Sequence, residues 1–205
     1  MSNYGVLAGM IASRYDAEKV NYSHLGFVPE MDFFEVTPLF GLWYNRPLSR
    51  KKDNISAQGE IMVFTTNVYI YDERETSYVT QRSDINLSYT GIKVPLFLKV
   101  SLLEGSVKPF FSAGGFAMFN LGAKYSREGE NEDYFHVVRP FTDNTILLNT
   151  SMFGALAGVG VRKELSPKKS FSLEVRAEYG SGIYDREGIN QKTISFNLIA
   201  GFDFL

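Results

Sequence analysis

The pattern of apolar and polar residues predicts an all-β fold, an eight-stranded antiparallel up-and-down transmembrane β-barrel. The clearest strand is the last one, residues 190–205, in which apolar and polar residues alternate as they do on a strand with two different faces. Its apolar positions are Ile194, Phe196, Leu198, Ala200, Phe202 and Phe204. Eight stretches of this kind follow one another along the chain, and the connections between them alternate between long and short.

The predicted strands are residues 4–13, 36–48, 55–71, 85–103, 108–125, 146–165, 171–184 and 192–205. The connections expected to be long are 14–35, 72–83 and 126–144, and 186–191 joins the last two strands on the same side. Those at 49–54, 104–107 and 166–170 are short. Outer-membrane barrels keep short turns at the periplasmic rim and longer loops outside. We therefore expect periplasmic termini and four outer loops.

The charges within the strands indicate which face meets lipid. The even-numbered residues 92–102 of the fourth strand are apolar, with Lys93 and Lys99 on the opposite face. In the seventh strand the odd-numbered residues 171–179 oppose Glu174, Arg176 and Glu178. Buried ions are costly even when they are paired, so this charged face suits a wet lumen better than a dry core. The odd-numbered residues 111–121 and 153–161 are then also expected to face lipid.

Aromatic side chains near the predicted strand ends suggest girdles at the two membrane surfaces. Ordinary β-propensity of aromatic residues is the alternative explanation, and the loop pattern and the terminal Phe residues favour the girdles. The candidates are Phe33, Phe34, Trp43, Tyr44, Tyr69, Tyr71, Tyr89, Tyr125, Phe171, Tyr184, Phe202 and Phe204.

Composition narrows the function classes. The 205 residues carry a net charge of −2, which gives no global attraction to nucleic acid, and contain no Cys, which excludes disulfides and thiol chemistry. No run of about 18 apolar residues predicts a transmembrane helix. The sequence shows no cleavable signal peptide, and we interpret it as a mature chain restarted with an initiator Met. We expect one barrel domain over residues 1–205.

Catalytic and metal motifs are weak. The two histidines, His24 and His136, fall in predicted outer loops beside ordinary polar neighbours, and no Gly-x-Ser-x-Gly motif accompanies them. The acidic run at 128–133 lacks the spacing of a calcium loop and is expected to be a solvated, mobile loop. The glycines at 154–160 are expected to leave room in the lumen for bulky neighbours. No catalytic residue, cofactor or metal site is predicted.

The inward charges are the best candidate site. An eight-stranded barrel is just wide enough inside for side chains to fill it, so charges of both signs are expected to pair and plug the lumen. A narrow conduit, or a small pocket at the outer mouth, is the alternative. The predicted lumen network is Glu60, Lys93, Lys99, Arg162, Glu174, Arg176, Glu178 and Asp203.

Several motifs resemble the PorT-like outer-membrane β-barrel family of Bacteroidota, whose members are small eight-stranded barrels. They are the opening Tyr-Gly-Val-Leu-Ala-Gly at 4–9, Ile-Lys-Val-Pro-Leu-Phe-Leu-Lys at 92–99, Lys-Pro-Phe-Phe-Ser-Ala-Gly-Gly at 108–115 and the glycine alternation at 154–161. The resemblance covers nearly the whole chain in order and spacing. It implies a fold and a location in the bacterial outer membrane, but no defined activity.

We therefore predict a non-enzymatic outer-membrane barrel with a structural or binding role through its extracellular loops. Its expected partners are outer-membrane lipid and a protein or small molecule at the loops, and it is expected to be a monomer. Two alternatives stay open: a soluble lipocalin-like barrel that binds an apolar ligand, and an outer-leaflet lipid-modifying enzyme. The soluble alternative would place Glu174, Arg176 and Glu178 on the outside.

Overall fold

The computed structural model describes residues 3–17, 33–48, 54–75, 79–103, 105–133, 138–143, 151–166, 169–181 and 191–204. Nine strands lie within these residues: β1 (Asn3–Ala17), β2 (Phe33–Pro47), β3 (Ile55–Glu75), β4 (Val79–Ser101), β5 (Val107–Asp133), β6 (Val138–Asp143), β7 (Ser151–Ser166), β8 (Lys169–Ser181) and β9 (Gln191–Phe204). Of the described residues, none belongs to a helix that is long and apolar enough to cross a membrane.

Every strand except β6 contributes to a closed antiparallel barrel. The neighbours run β4-β3-β2-β1-β9-β8-β7-β5, and pairing of β4 with β5 closes the ring. The first and last strands pair over most of their lengths, from Tyr4 opposite Phe204 to Ala17 opposite Gln191. Closure leaves the barrel itself without free strand edges, which a bilayer would not tolerate. The predicted eight-stranded fold is confirmed.

An apolar belt covers the outside of the barrel. Its side chains include Phe40 and Leu42, which are 65% and 64% exposed, and the outward residues of β8 and β9 between positions 171 and 204. The charged side chains Arg14 and Lys192 lie beyond one edge of this belt, and Arg46 and Lys163 lie at the other. A continuous apolar belt on a closed barrel is the surface that hydrocarbon covers in an outer membrane. The predicted lipid faces of the fourth to seventh strands are confirmed.

The predicted aromatic girdle is only partly correct. Tyr44, Phe171 and Phe204 are exposed on the outward face, whereas Trp43 and Tyr89 are buried inside the lumen. Successive side chains of a strand point to opposite faces, so Trp43 and Tyr44 cannot both face lipid. Phe202 is half-buried on the outward face. The side chains of Phe33, Phe34, Tyr69, Tyr71 and Tyr125, together with Tyr184, lie outside the described part of the structure.

Three strands continue past the barrel and form a sheet on the side of the long connections. Pairing of β2 with β3 reaches Phe64, while pairing of β3 with β4 continues to Glu75. β5 follows β4 as far as Asp133, and β6 adds to its other edge. We call the part of this extension that lies beyond the inward residues Thr66 and Tyr89, residues 67–75, 79–88, 124–133 and 138–143, the projecting sheet.

The predicted loops at 72–83 and 126–144 are corrected at the described residues 72–75, 79–83, 126–133 and 138–143, which are strand residues of the projecting sheet. Residues 128–133 belong to β5 instead of a mobile loop, and Glu130 lies opposite Arg82 of β4. Outside the membrane a sheet needs no apolar face toward lipid, so the alternation ends while the main-chain pairing continues. The sequence signal used to find the strands is therefore lost at this point.

Glycines on β7 make room for rings on β5, as expected. A Cβ on Gly154 would lie 2.5 Å from the ring of Phe116, and one on Gly160 would lie 2.4 Å from the ring of Phe110. A Cβ on Gly158 would lie 2.6 Å from the hydroxyl of Ser112 and 2.8 Å from a carboxylate oxygen of Glu174. These glycines let large side chains fill the lumen without forcing the strands apart.

Replacing Gly160 by alanine should destabilise the barrel, because the new methyl group would also lie 2.5 Å from the main-chain oxygen of Leu173. We expect the free energy of unfolding in urea, measured in lipid vesicles, to fall by about 1–3 kcal/mol. Gly122→Ala is the matched control, since a Cβ there would meet nothing within 4 Å. Equal losses in the two variants would contradict this packing argument.

Candidate functional site

The charged residues singled out from the sequence all lie on the inward face of the barrel. Glu60, Lys93, Glu174, Arg176, Glu178 and Asp203 are buried, and Lys99 and Arg162 are half-buried. Four of the eight are cationic and four are anionic, so their formal charges cancel. They come from β3, β4, β7, β8 and β9, and they divide into three groups along the barrel axis.

Arg176 is the centre of the largest group. Its Nη1 and Nη2 donate to the two carboxylate oxygens of Glu60 at 2.9 and 3.1 Å. Its Nε donates to Glu174 at 3.2 Å. In the strand order, β2, β1 and β9 separate Glu60 on β3 from Arg176 on β8 on one side, and β4, β5 and β7 on the other. The bidentate pair therefore joins opposite walls of the barrel.

Further contacts complete this group, which we call the central charge layer (Glu60, Lys99, Glu174 and Arg176). Lys99 Nζ lies 3.7 Å from Glu174, and the hydroxyl of Ser112 donates to the same carboxylate at 2.5 Å. The side-chain amide of Gln58 donates to Glu60 at 2.7 Å. Each carboxylate thus accepts several hydrogen bonds, which a buried ion requires to offset its lost hydration.

Aromatic rings line the central charge layer. The Arg176 guanidinium lies 4.5 Å from the centroid of the Phe97 ring, and Lys99 Nζ lies 4.1 Å from that of Phe110. A cation over the face of an aromatic ring is attracted to the ring's π electrons. The inward rings of Phe97 and Phe110 therefore contact the cations of the lumen.

A second ion pair lies on the side of the central charge layer that faces the projecting sheet. Lys93 of β4 pairs with Glu178 of β8, and its Nζ lies 4.8 Å from the centroid of the Phe116 ring. Both side chains are almost completely buried. This pair also crosses the lumen, because β4 and β8 are not neighbours in the barrel.

A third group lies near the rim at which β9 ends. Arg162 of β7 pairs with Asp203 of β9 at 2.7 Å and donates from Nε to the hydroxyl of Ser170 at 2.8 Å. Ser170 in turn donates to Asp203. Because β8 lies between β7 and β9, this triad bridges three adjacent strands.

The sequence analysis missed a polar cluster in the outer half of the lumen. Glu35 was assigned to a loop, but it is a buried residue of β2 that accepts hydrogen bonds from Tyr89 at 2.8 Å and from Thr66 at 3.1 Å. Glu35, Thr37 and Leu39 are alternate residues of one strand, and this spacing predicts that all three point to the same, inward face. The strand was predicted to begin one residue later, at position 36, so the signal went unused.

The outer half of the lumen holds a small cavity of about 30 Å³. Its walls include Glu35, Tyr89, Lys93, Glu178 and Ser195. A water molecule needs about 10–15 Å³ of such space, so the cavity has room for water but not for an organic ligand. The predicted alternative of a small pocket at the outer mouth stays a prediction, because most residues of the outer connections lie outside the described part of the structure.

The predicted loop residues His24 and His136 lie outside the described residues. Within the described ranges, no group of three or more His, Cys, Asp or Glu side chains is arranged to hold a metal ion.

Removing the Arg176 guanidinium should be costly because it leaves Glu60 and Glu174 buried together without their shared cation. We expect Arg176→Met to lower the free energy of unfolding by about 3–5 kcal/mol. Glu164→Gln is the control, since it breaks an exposed pair with Lys108 whose contribution should stay below about 1 kcal/mol. Urea titrations in lipid vesicles would measure both, and a loss for Arg176→Met no larger than the control's would contradict the role of the layer.

Comparison with known proteins agrees with the barrel. The family model described as "Outer membrane protein beta-barrel domain" matches residues 1–181. The chain is similar to the outer membrane protein OprG from Pseudomonas aeruginosa at 12% identity and a TM-score of 0.53, over 98% of this chain and 95% of OprG. At this identity the likeness to OprG supports the fold alone.

Two other solved structures show weaker similarity. Neisserial surface protein A matches at 13% identity and a TM-score of 0.46, over 98% of this chain and 96% of its own. Ail, the attachment invasion locus protein of Yersinia pestis, matches at 14% identity and a TM-score of 0.42, over 98% of both chains. The comparison with curated protein sequences returned no match.

Proposed function

This chain belongs to the outer membrane protein β-barrel family, and from that premise we propose a structural or binding role carried by its extracellular segments, with the lumen closed by charged side chains. The protein resides in the bacterial outer membrane. We further propose that it is a PorT-like member of this family, that it acts without catalysis and that it is a monomer. Its partner would be a protein or small molecule on the outer surface.

The observation that carries the proposal is the ion pair between Glu60 and Arg176. It spans the barrel between opposite strands, and the Lys93–Glu178 pair crosses the lumen a short distance further out. Side chains held in this way occupy the space that a solute would need. Transport through the barrel is therefore the function that the geometry supports least.

The cavity argues in the same direction. A binding pocket for a small organic molecule usually encloses about 300–1,000 Å³. The cavity between the outer ion pair and the outer mouth holds about 30 Å³. Glu60 and Glu174 accept hydrogen bonds from cations and hydroxyl or amide groups, and the cavity that Glu35 and Glu178 line is too small for an organic substrate. This supports a role outside the lumen.

The projecting sheet supports recognition on the outer side. In this sheet β3, β4 and β5 extend beyond the apolar belt, and β6 pairs with β5. Its exposed side chains include Arg82, Asp84, Lys124, Glu128 and Glu130, which offer charges of both signs to water. Residues that stand on a rigid scaffold outside the membrane are well placed for binding a partner.

Single-channel recording in planar lipid bilayers tests whether the lumen is closed. We expect no resolved current steps from the wild-type barrel. The fourfold variant Glu60→Ser, Lys93→Ser, Arg176→Ser and Glu178→Ser should conduct, because it removes both cross-lumen bridges together with both members of each. A control pair, Lys108→Ser with Glu164→Ser, removes a rim pair and should stay silent. Steady current from the wild type equal to that of the lumen variant would overturn the proposal.

A further inference from the structure

The lipid-facing surface carries a groove over the periplasmic half of β3. Its floor consists of Ala57 and Gly59, and its volume is about 630 Å³. Tyr44 and Arg46 of β2 form one wall, and Leu96 and Leu98 of β4 form the other. The strand register creates this arrangement, since Tyr44 and Leu96 both lie opposite Gly59, and Arg46 and Leu98 both lie opposite Ala57.

The groove exists because two outward positions of β3 carry almost no side chain. The next outward residues along this strand, Ile55 and Ile61, carry large side chains that are 38% and 57% exposed. A Cβ placed on Gly59 would already lie 3.1 Å from a methyl carbon of Leu96. The depression lies over β3 and continues past Leu96 and Leu98 to Ala113 and Gly114 of β5.

Arg46 supplies a positive charge at this depression. It is an exposed, outward-facing residue near the periplasmic end of β2, where the belt ends and lipid headgroups begin. Within the described part of the chain it has neither a hydrogen bond nor an ion pair. An arginine at headgroup level is suited to bind a phosphate group, because its planar donors match two phosphate oxygens at once.

We propose that this groove binds one phospholipid of the periplasmic leaflet. The phosphate accepts hydrogen bonds from Arg46, and an acyl chain lies over Ala57 and Gly59 between the side chains of Tyr44 and Leu96. The occupant is a lipid because the groove opens onto the hydrocarbon-facing belt. It carries a phosphate because the charged group in the wall is a guanidinium that has no partner among the described residues. The inference rests on the membrane location and is independent of the role proposed for the outer surface.

Lys163 offers a matched comparison on the same surface. It is an exposed, outward cation near the periplasmic end of β7, also without a hydrogen bond or ion pair among the described residues. Its cross-strand neighbours are Val107 and Phe171, so bulky side chains stand where Arg46 has Ala57. Lys163 therefore places a positive charge near the same edge of the apolar belt as Arg46, but it has no groove beside it.

Native mass spectrometry of the barrel released from mixed micelles tests the proposal. The micelles contain equal amounts of palmitoyl-oleoyl phosphatidylglycerol and of diacylglycerol with the same chains. We expect the wild type to retain one phosphatidylglycerol and Arg46→Gln to lower that occupancy about tenfold, as the loss of a charged hydrogen-bonding partner implies. Lys163→Gln should bind as the wild type does. Ala57→Leu should also lose the lipid, although Arg46 is still present.

Each variant is first checked for a heat-modifiable band on a detergent gel, so that only folded barrels are compared. Equal retention by Arg46→Gln and the wild type would overturn the proposal. Equal loss in Arg46→Gln and Lys163→Gln would also overturn it, because any rim cation would then suffice. Equal retention of diacylglycerol and phosphatidylglycerol by the wild type would refute the role of the phosphate.

Discussion

The interaction on which the barrel interior depends is the contact of Arg176 with two carboxylates in the centre of the lumen. Glu60 accepts two hydrogen bonds from the guanidinium, and Glu174 accepts a third. An isolated charge at this depth would be very costly, whereas a guanidinium that is bound on both sides and stacked on Phe97 satisfies its donors within the protein. The arrangement also fixes the distance between the opposite walls of the barrel.

Packing and electrostatics in the lumen depend on each other. Phe110 and Phe116 contact the cations Lys99 and Lys93, and each ring also needs the space left by a glycine on β7. A larger residue at Gly160 or Gly154 would push the ring away from its wall, and the ring would then displace the cation. The glycine alternation of β7 and the charges of β8 are therefore parts of one interior.

The sequence predicted those parts of the fold that meet lipid. Alternation along β4, β8 and β9 identified the outward belt, because lipid requires an unbroken apolar face, and it placed Arg176 and its neighbouring acids inside. The sequence could not show that Arg176 pairs with Glu60. That contact joins residues 116 positions apart and depends on the register of every strand between them. That the charges close the lumen is a proposal from this geometry.

The failures of the sequence analysis have a common physical origin. The projecting sheet lies outside the membrane, where strands need no apolar face, so residues 126–133 were read as a loop. Trp43 and Tyr89 were expected at the membrane surface because they are aromatic. The alternation of side chains along their strands instead places both in the lumen. Glu35 was expected in a loop because a charged residue next to an apolar stretch indicates the end of a strand. The groove beside Arg46 is formed by residues of several adjacent strands, so no sequence pattern within a single strand predicts it.

The most direct test of this account is the hydrogen exchange of the Arg176 side chain, observed by nitrogen-15 NMR of the barrel in lipid nanodiscs. A guanidinium held by Glu60 and Glu174 away from water should give separate, slowly exchanging N–H signals with a nuclear Overhauser contact to the Phe97 ring. Arg82, exposed on the projecting sheet, provides the fast-exchanging reference within the same molecule. Exchange at Arg176 as fast as at Arg82, without a contact to Phe97, would contradict the account.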